Sequence, residues 1–293
     1  MARGRDWFLG LLLMAALAVF VFFIASLFFG ISDNEFDLHT GERIGLVEIE
    51  GVILDSKHAV EQLERFENDG SINAVVLRIN SPGGGVAASQ EIYEAAKRLR
   101  HRNKFVIASM GSVAASGGYY IACAADSIMA NPGTTTGSIG VISEMMNLTE
   151  LLNKIGVRFE VIKSGKYKDS GSPYRSMNEE DRKYFQGYVD DAYQQFVGVV
   201  AEARRMEKTK VLQYADGRVF TGQQALAFGL VDRLGTYQDA LALAAEAAGI
   251  KGRPHVVSSR KRKVTILDLL FGDLEEHLIR LQTLPVLRYQ WVW

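Results

Sequence analysis

The sequence predicts an α/β domain, built from successive strand–helix–strand units on a parallel sheet, behind a single N-terminal transmembrane helix. Three observations lead to this prediction. Short apolar runs with strand character alternate with stretches of helical periodicity along most of the chain. One long uncharged apolar run lies near the start of the chain. Finally, the 293 residues are 48% hydrophobic and 23% charged, which excludes a disordered protein.

The composition also excludes several classes of function. The 33 Lys and Arg residues nearly balance the 34 Asp and Glu residues, so a net charge of −1 offers no general attraction for nucleic acid. A single cysteine, Cys123, excludes an internal disulfide framework and a multi-cysteine metal site, and its apolar neighbours indicate an inert core residue. The five histidines are scattered, with no pair at metal-ligand spacing. We therefore expect neither a metal nor a cofactor.

The predicted transmembrane anchor covers residues 7–30. About 20 helical residues, at roughly 1.5 Å each, cross the hydrocarbon core of a bilayer. A cleaved secretory signal is the alternative, but its apolar stretch is usually about 7–15 residues long. Arg3 and Arg5 precede the run and acidic residues follow it. The positive-inside rule then places residues 1–6 in the cytoplasm and the remainder of the chain on the other side of the cell membrane.

After a tether at residues 31–43, the main domain is predicted to extend over residues 44–250. The order of its elements indicates parallel strands joined by right-handed crossovers. The longest helix begins with an Asn cap and three acidic residues, which suit a helix N-terminus. The predicted elements are strand 43–51, helix 59–68, strand 74–79, helix 87–100, strand 105–109, helix 119–125, strand 127–130, helix 148–155, strand 157–162 and helices 178–207, 223–228 and 237–248.

The tail at residues 251–293 differs in composition from the domain. A basic run at 260–263 precedes an amphipathic stretch to about Leu281, and the chain then becomes aromatic. This pattern is typical of a packing helix with one solvated face. It also fits a segment that docks on a membrane surface or in an oligomer, and the sequence leaves both interpretations open.

Small-residue turns follow the predicted strands, where open α/β folds place their sites. The turn SPGGG at 81–85 exposes backbone N–H groups and could also cradle a phosphate, although the Gly-Lys-Ser/Thr of a P-loop is missing. The turn GSVAASGG at 111–118 places Ser116 at a helix start, between Ala115 and Gly117. Small neighbours let a substrate carbonyl approach, and the Gly117 N–H would face an anion. Ser116 is thus a candidate nucleophile, with a helix-capping serine as the alternative.

A serine nucleophile needs a general base. No histidine lies in these turns, so a lysine is the remaining candidate, because Ser-Lys pairs use the same logic as a Ser-His-Asp triad. The segment SGKYKD at 164–169 follows a predicted strand and contains Lys166 and Lys168. Taken alone, each lysine would be an ordinary solvated side chain.

Together these features resemble a known family. The apolar N-terminal run and the motifs NSPGGG, AASGGYYIA, TGSIGV, SGKYKD and GRVFTGQQALAFGLVD occur in this order and are similar to those of the bacterial SppA-type signal peptide peptidases, in their short single-copy form. These are serine-lysine enzymes of the ClpP/crotonase superfamily. The resemblance covers about residues 44–250 and implies a ClpP/crotonase-like spiral of βαβ units.

The resemblance also assigns roles to individual residues. It implies that Ser116 is the nucleophile and Lys168 the general base, with Lys166 as the alternative base. Ser138, in TGSIG, matches a family serine that hydrogen-bonds the lysine.

The oxyanion donors implied by the resemblance are the Gly117 N–H and the N–H of either Gly83 or Gly84. The implied substrates are apolar peptides, namely signal peptides left after preprotein cleavage. The implied assembly is a ring-like homo-oligomer with its sites at protomer contacts.

A lysine base must be largely neutral when it takes the serine proton. Lowering a lysine pKa from about 10.4 to about 7 or 8 requires burial that costs about 3–5 kcal/mol. An exposed face of a monomer would not supply this burial, so we expect assembly to be part of catalysis. The alternatives are an acyl-CoA enzyme of the crotonase type, which would need carboxylate acid/bases beside the oxyanion hole, and a non-catalytic membrane scaffold on the same fold.

Overall fold

The structure, a computed structural model, describes residues 14–17, 19–20, 43–252, 254–258 and 288–290, the side chains of 288 and 290 excepted. The chain divides into two compact units, residues 1–41 and 42–293. In the first unit, residues 14–17 and 19–20 are helical. Across the described residues, no helix is both long enough and apolar enough to cross a membrane. Most of the predicted anchor lies outside the described residues.

The second unit alternates strands and helices. Its strands are β1 (Arg43–Glu50), β2 (Ile72–Ser81), β3 (Gly83–Gly85), β4 (Phe105–Ala115), β5 (Ser127–Ala130), β6 (Thr135–Gly137), β7 (Val219–Thr221), β8 (Arg233–Leu234), β9 (His255–Ser258) and β10 (Arg288–Gln290). Its helices are α1 (Lys57–Asn68), α2 (Val86–His101), α3 (Gly117–Ala122), α4 (Thr149–Lys154), α5 (Glu179–Arg204), α6 (Lys208–Val211), α7 (Gly222–Ala227) and α8 (Tyr237–Ala247).

Most of these strands form one mixed sheet with the order β7-β6-β4-β2-β1-β9, to which β5 and β8 are added beside β4. The pairs along this path are parallel except β6–β7. β3 and β10 form a separate antiparallel pair. The predicted α/β class with a parallel central sheet is confirmed.

The sheet carries its core on both faces, because strands of a parallel sheet are covered on both sides by crossover helices. Ala240 and Ala244 of α8 pack in one cluster, with Val76 of β2. Leu63 and Phe66 of α1 pack in the other cluster. Burying a side chain such as Phe66 contributes about 1.5–3 kcal/mol.

The long helix α5 begins as the sequence predicts. The Asn178 side chain accepts a hydrogen bond from the Asp181 N–H at 2.8 Å, and the Asp181 carboxylate accepts one from the Asn178 N–H at 3.2 Å. This reciprocal capping box satisfies N–H groups that a helix leaves unpaired in its first turn. The helix ends at Arg204, since Arg205 adopts a left-handed conformation with φ of 50°.

Three predicted features differ from the structure. The turn predicted at 81–85 is largely strand, because Gly83–Gly85 form β3. The strand predicted at 157–162 is wrong: these residues have no regular secondary structure and are exposed. Their alternating pattern suits a strand, but no described strand pairs with them. The strand predicted at 105–109 continues to Ala115, because Val113 and Ala115 pair with Thr135 and Gly137 of β6. Much of the predicted glycine turn at 111–118 is therefore strand.

Candidate active site

Ser116 lies at the junction between β4 and α3. It has φ of 54° and ψ of −117°, a conformation that residues with a side chain rarely adopt. Its N–H donates to the Gly137 carbonyl oxygen at 2.8 Å, and its own carbonyl accepts from the Tyr120 N–H at 2.8 Å. The Ser116 hydroxyl makes no capping hydrogen bond to the helix. The capping alternative is therefore not realised, although the residue is only 1% exposed.

Gly83 and Gly117 flank the same carbonyl oxygen, that of Tyr289 in β10. A Cβ atom built on Gly83 would lie 1.9 Å from this oxygen and 2.7 Å from the Gly117 amide nitrogen. A Cβ atom built on Gly117 would lie 3.1 Å from the same oxygen. Gly83 also has φ of +101°, which only glycine adopts without strain. Bare backbone at both positions therefore lets a carbonyl group enter between the two turns.

Gly83 and Gly84, the two candidate oxyanion donors in β3, have N–H groups that face different partners. The Gly83 N–H donates to Ser81 Oγ at 3.1 Å, and the Gly83 carbonyl accepts from the Ile53 N–H at 2.9 Å. The Gly85 N–H likewise donates to the Ile53 carbonyl at 2.8 Å, and the peptide groups of successive residues in a strand face opposite edges. The peptide groups of Gly84 are thus directed toward β10, while the Gly83 N–H is already used.

β6 brings Ser138 to the same end of the sheet as Ser116. β4 and β6 run in parallel, with Ala115 opposite Gly137. Ser138 follows directly, with φ of 49° and an exposure of 6%, and its N–H donates to the Arg218 carbonyl at 2.8 Å. It lines a cleft of about 590 Å³. The structure thus brings Ser116 and Ser138 together on adjacent strand ends.

Lys168 is not joined to these groups within one chain. It lies in a turn, where its N–H donates to the Gly165 carbonyl at 3.1 Å, and its side chain is exposed. In the part of the chain that the structure describes, no hydrogen bond links Lys168 to Ser116 or Ser138. The isolated chain therefore lacks the closed surroundings that a lysine base requires.

Lys166, the alternative base, has a carboxylate partner. Its Nζ lies 2.6 Å from a Glu180 carboxylate oxygen and 5.6 Å from the centre of the Tyr167 ring. The hydrogen bond to Glu180 raises the pKa of Lys166. Its charged form is thereby favoured, which is the opposite of what a general base needs.

An ion-pair network ties the segment around Lys168 to the start of α5. Asp169 bonds Lys163 at 2.6 Å and Arg175 at 3.0 Å, and Arg175 also bonds Asp181. The hydrogen bonds from Arg175 and Lys163 lower the pKa of Asp169 to about 2. Arg175 and Ser170 hold the pKa of Asp181 well below its usual range. The network thus ties Asp169, the residue next to Lys168, to the start of α5.

Cys123 is buried, and its burial raises the pKa of the thiol to about 12. The predicted core position of Cys123 is therefore confirmed. Sequence reasoning missed Tyr289 and Ser81. The aromatic end of the chain was visible in the sequence, but no pattern there indicated which strand it would join.

Comparison with known proteins gives matches over most of the described domain. A family model described as peptidase family S49 matches residues 98–251, and one described as Clp protease matches residues 47–136. A putative protease of Synechocystis sp. is 48% identical, over 73% of this chain and 78% of its own length. A putative signal peptide peptidase SppA of Enterococcus faecium is 38% identical, over 69% of this chain and 62% of its own length.

A third relative is longer. Protease 4 of Salmonella typhi is 36% identical over 72% of this chain, but the match spans only 36% of that protein. The match thus covers less than two thirds of the Enterococcus and Salmonella proteins.

Proposed function

Because the chain belongs to peptidase family S49 and is an SppA-type serine peptidase, we propose that Ser116 is its nucleophile and Lys168 its general base. The observation that carries the proposal is that strand β3 (Gly83–Gly85) and the Ser116–Gly117 junction meet around one carbonyl oxygen. A peptidase needs a nucleophile and two N–H donors arranged around a carbonyl. Ser116, Gly117 and Gly84 are the candidates for these groups, and their proximity within one chain supports the proposal.

In the proposed reaction, Ser116 Oγ attacks the carbonyl carbon of a peptide bond. The oxygen becomes an oxyanion held by the N–H groups of Gly117 and Gly84. We favour Gly84 over Gly83 because the Gly83 N–H already donates to Ser81 Oγ. Losing one such donor costs about 10²–10³ in rate.

Lys168 takes the proton of Ser116 and passes it to the leaving amine, after which water resolves the acyl-enzyme with Lys168 again as base. Lys166 is disfavoured, because Glu180 holds it in its charged form. Ser138 would orient the base by a hydrogen bond. The buried position of Ser138 beside the strand end that carries Ser116 supports this role.

The exposure of Lys168 supports a catalytic role for assembly. A lysine base needs closed, largely apolar surroundings, so a second copy of the chain would have to cover Lys168. The region around it also exposes many large apolar side chains, as an interface between copies would require. They are Leu151, Ile155, Val157, Phe159, Val161, Ile162, Tyr167, Tyr174, Tyr184 and Tyr188. A homo-oligomer with its sites at protomer contacts is accordingly part of the proposal.

We further propose that residues 7–30 anchor the chain in the cell membrane, with residues 1–6 in the cytoplasm and the peptidase domain at 44–250 on the other side. The uncharged apolar run and the preceding arginines support this topology. The proposed substrates are remnant signal peptides and similar apolar peptides. The similarity to the putative signal peptide peptidase SppA of Enterococcus faecium supports that substrate class.

Activity-based labelling tests the proposal. The full-length protein in detergent micelles is treated with a fluorophosphonate, and the labelled residue is identified by mass spectrometry. We expect label on Ser116, no label in Ser116→Ala, and a peptidase rate at least about 10³-fold lower in Ser116→Ala.

The matched lysine variants separate the two candidate bases. Lys168→Ala should abolish labelling and turnover, whereas Lys166→Ala should retain both. Normal turnover by Lys168→Ala would show that the assignment of the base is wrong. Absence of label from the wild-type protein would contradict the nucleophile itself.

A further inference from the structure

β4 contains a β-bulge shortly before it reaches Ser116. Its pairing with β2 is regular as far as Met110 and resumes at Ala114, and only Asn80 of β2 lies opposite the three residues between them. Extra residues on one strand bend that strand and change the direction of the side chains that follow. Such bulges are common beside active sites. The bulge therefore affects where β4 places the proposed nucleophile.

The bulge also lies where β4 changes its partner on the other edge. As far as Ser109, β4 pairs with β5, and from Val113 onward it pairs with β6. The course of β4 after the bulge thus determines how the strand ends that carry Ser116 and Ser138 meet. Ser116 has φ of 54°, and a conformation of this kind persists only where the surrounding structure fixes it. Contacts that hold the bulge are therefore candidates for placing Ser116.

Two buried threonines of the loop before β6 and of β6 itself hold carbonyl groups of β4. Thr134 Oγ1 donates to the Gly111 carbonyl at 2.7 Å and also accepts from the Asn131 N–H at 3.1 Å. Thr136 Oγ1 donates to the Ala114 carbonyl at 2.7 Å. Both threonines are at most 1% exposed, so water does not replace either hydroxyl as a partner of β4.

Asn80 holds the bulge from the side of β2. Its Oδ1 accepts a hydrogen bond from the Val113 N–H at 3.2 Å. A Cβ atom built on Gly111 would lie 2.9 Å from this oxygen and 3.0 Å from the Asn80 Cβ atom. The amide side chain thus takes the space that a side chain at position 111 would need, and it replaces the backbone acceptor that a regular ladder would offer to Val113.

We infer that Asn80, Thr134 and Thr136, here called the bulge clamp, are positioning residues for Ser116. By holding the backbone of β4, they set the place of the Ser116 hydroxyl relative to the oxyanion donors. Thr136 has the shortest connection, because Gly137, the next residue in β6, accepts the Ser116 N–H at 2.8 Å. The inference rests on the proposed function of Ser116 and adds residues that act on the reaction without touching the substrate.

Valine variants of the threonines test the inference, because valine keeps the shape of threonine without its hydroxyl. The full-length protein in detergent micelles is assayed with a fluorogenic apolar peptide. We expect kcat to fall about 10–100-fold in Thr134→Val and in Thr136→Val with little change in KM, since a displacement of about 1 Å at the reacting group can cost about 10²-fold. Thr134→Ser and Thr136→Ser keep the hydroxyl and should restore most of this loss.

Thr135→Val is the matched control within the same run of threonines. Thr135 is half-buried, and its hydroxyl makes no hydrogen bond in the part of the chain that the structure describes. Its kcat should equal that of the wild type. Equal kcat in all three valine variants, or a loss in the serine variants as large as in the valine variants, would overturn the inference.

Fluorophosphonate labelling separates positioning from a simple loss of folded protein. The final extent of labelling counts folded sites, whereas its rate reports how well Ser116 is placed. Thr134→Val and Thr136→Val should reach the extent of the wild type at a rate at least about tenfold lower. A lower extent with an unchanged rate would show that the threonines only stabilise the fold, and would overturn their positioning role.

Asn80→Ala decides if the buried valine variants do not fold, because Asn80 is exposed. Loss of its bond to Val113 should also slow labelling of Ser116, and an unchanged rate would overturn the inference while leaving the proposed nucleophile in place. Absence of label from the wild-type protein would instead overturn the proposed function, and the positioning role with it.

Discussion

The backbone N–H of Ser116 donates a hydrogen bond to the carbonyl oxygen of Gly137 over 2.8 Å. This bond joins the two strand ends that carry the proposed nucleophile and Ser138. Gly137 itself has φ of +81°, and a Cβ atom there would lie 2.6 Å from a ring carbon of Phe220. The proposed site therefore depends on a glycine that takes no part in its chemistry.

Gly137→Ala should damage the site through the backbone. Alanine is strained at this positive φ, and its Cβ atom would collide with the Phe220 ring. We therefore expect a loss of about 1–3 kcal/mol in the free energy of unfolding. We also expect labelling of Ser116 to be at least about tenfold slower. The measurements are urea denaturation and the rate of fluorophosphonate labelling. Gly133→Ala is the matched control, because nothing lies within 4 Å of a Cβ atom at this exposed glycine. Equal labelling rates in both variants would contradict the dependence on Gly137.

Much of the sheet could be predicted because its signals are local. Central strands such as β2 are buried on both faces, so their sequences are apolar runs. The start of α5 is indicated by the Asn178 cap. β10 was not predictable in this way, because its pairing with Gly84 depends on residues distant in sequence. The choice between Gly83 and Gly84 likewise needed the alternation of peptide groups along β3.

The Asp169–Arg175–Asp181 network should give the segment before α5 an acid-sensitive stability. Both carboxylates have a lowered pKa, so the stability that they contribute is fully present above their ordinary pKa of 3.8 and is lost as the pH falls toward about 2. Arg175→Met removes the shared partner. We expect this variant to be less stable than the wild type at pH 5–7, with a difference that shrinks below about pH 4.

Urea denaturation midpoints at pH 7, 5, 4 and 3 measure this difference. Arg182→Met is a suitable control, since Arg182 is an exposed arginine of α5 that makes no ion pair with any of the described residues. A difference between wild type and Arg175→Met that stays constant from pH 7 to pH 3 would exclude the carboxylates as its source.

The Arg204–Asp232 pair should matter more for stability than the other surface pairs. Arg204 bonds Asp232 at 2.6 Å and the Gly229 carbonyl at 2.9 Å, and Asp232 also accepts from the Ile128 N–H at 2.7 Å. Arg204→Met leaves a half-buried carboxylate and a carbonyl without this partner, so we expect a loss of about 1–3 kcal/mol in the free energy of unfolding.

Arg218→Met provides the comparison for that pair, because Arg218 and its partner Asp216 are both largely exposed. Its loss in the free energy of unfolding should be much smaller, since solvent screens exposed ion pairs. Chemical denaturation of both variants at pH 7 measures the difference. Similar losses of unfolding free energy in Arg204→Met and Arg218→Met would show that burial does not make the Arg204–Asp232 pair more stabilising.

Residues 157–162 carry the alternation of a strand, yet the single chain leaves them exposed and unpaired among the described residues, with Ile162 fully exposed. A second copy that covers this segment would reconcile the pattern with the structure and would also enclose the exposed Lys168.

Ile162→Asp should then lower the oligomeric state and peptidase activity together, because a charge at a buried interface costs several kcal/mol. Light scattering in detergent and peptide turnover measure the two effects. Glu160→Gln, an exposed polar change in the same segment, should leave both unchanged. Full activity of Ile162→Asp as a monomer would mean that Lys168 acts without a neighbouring copy.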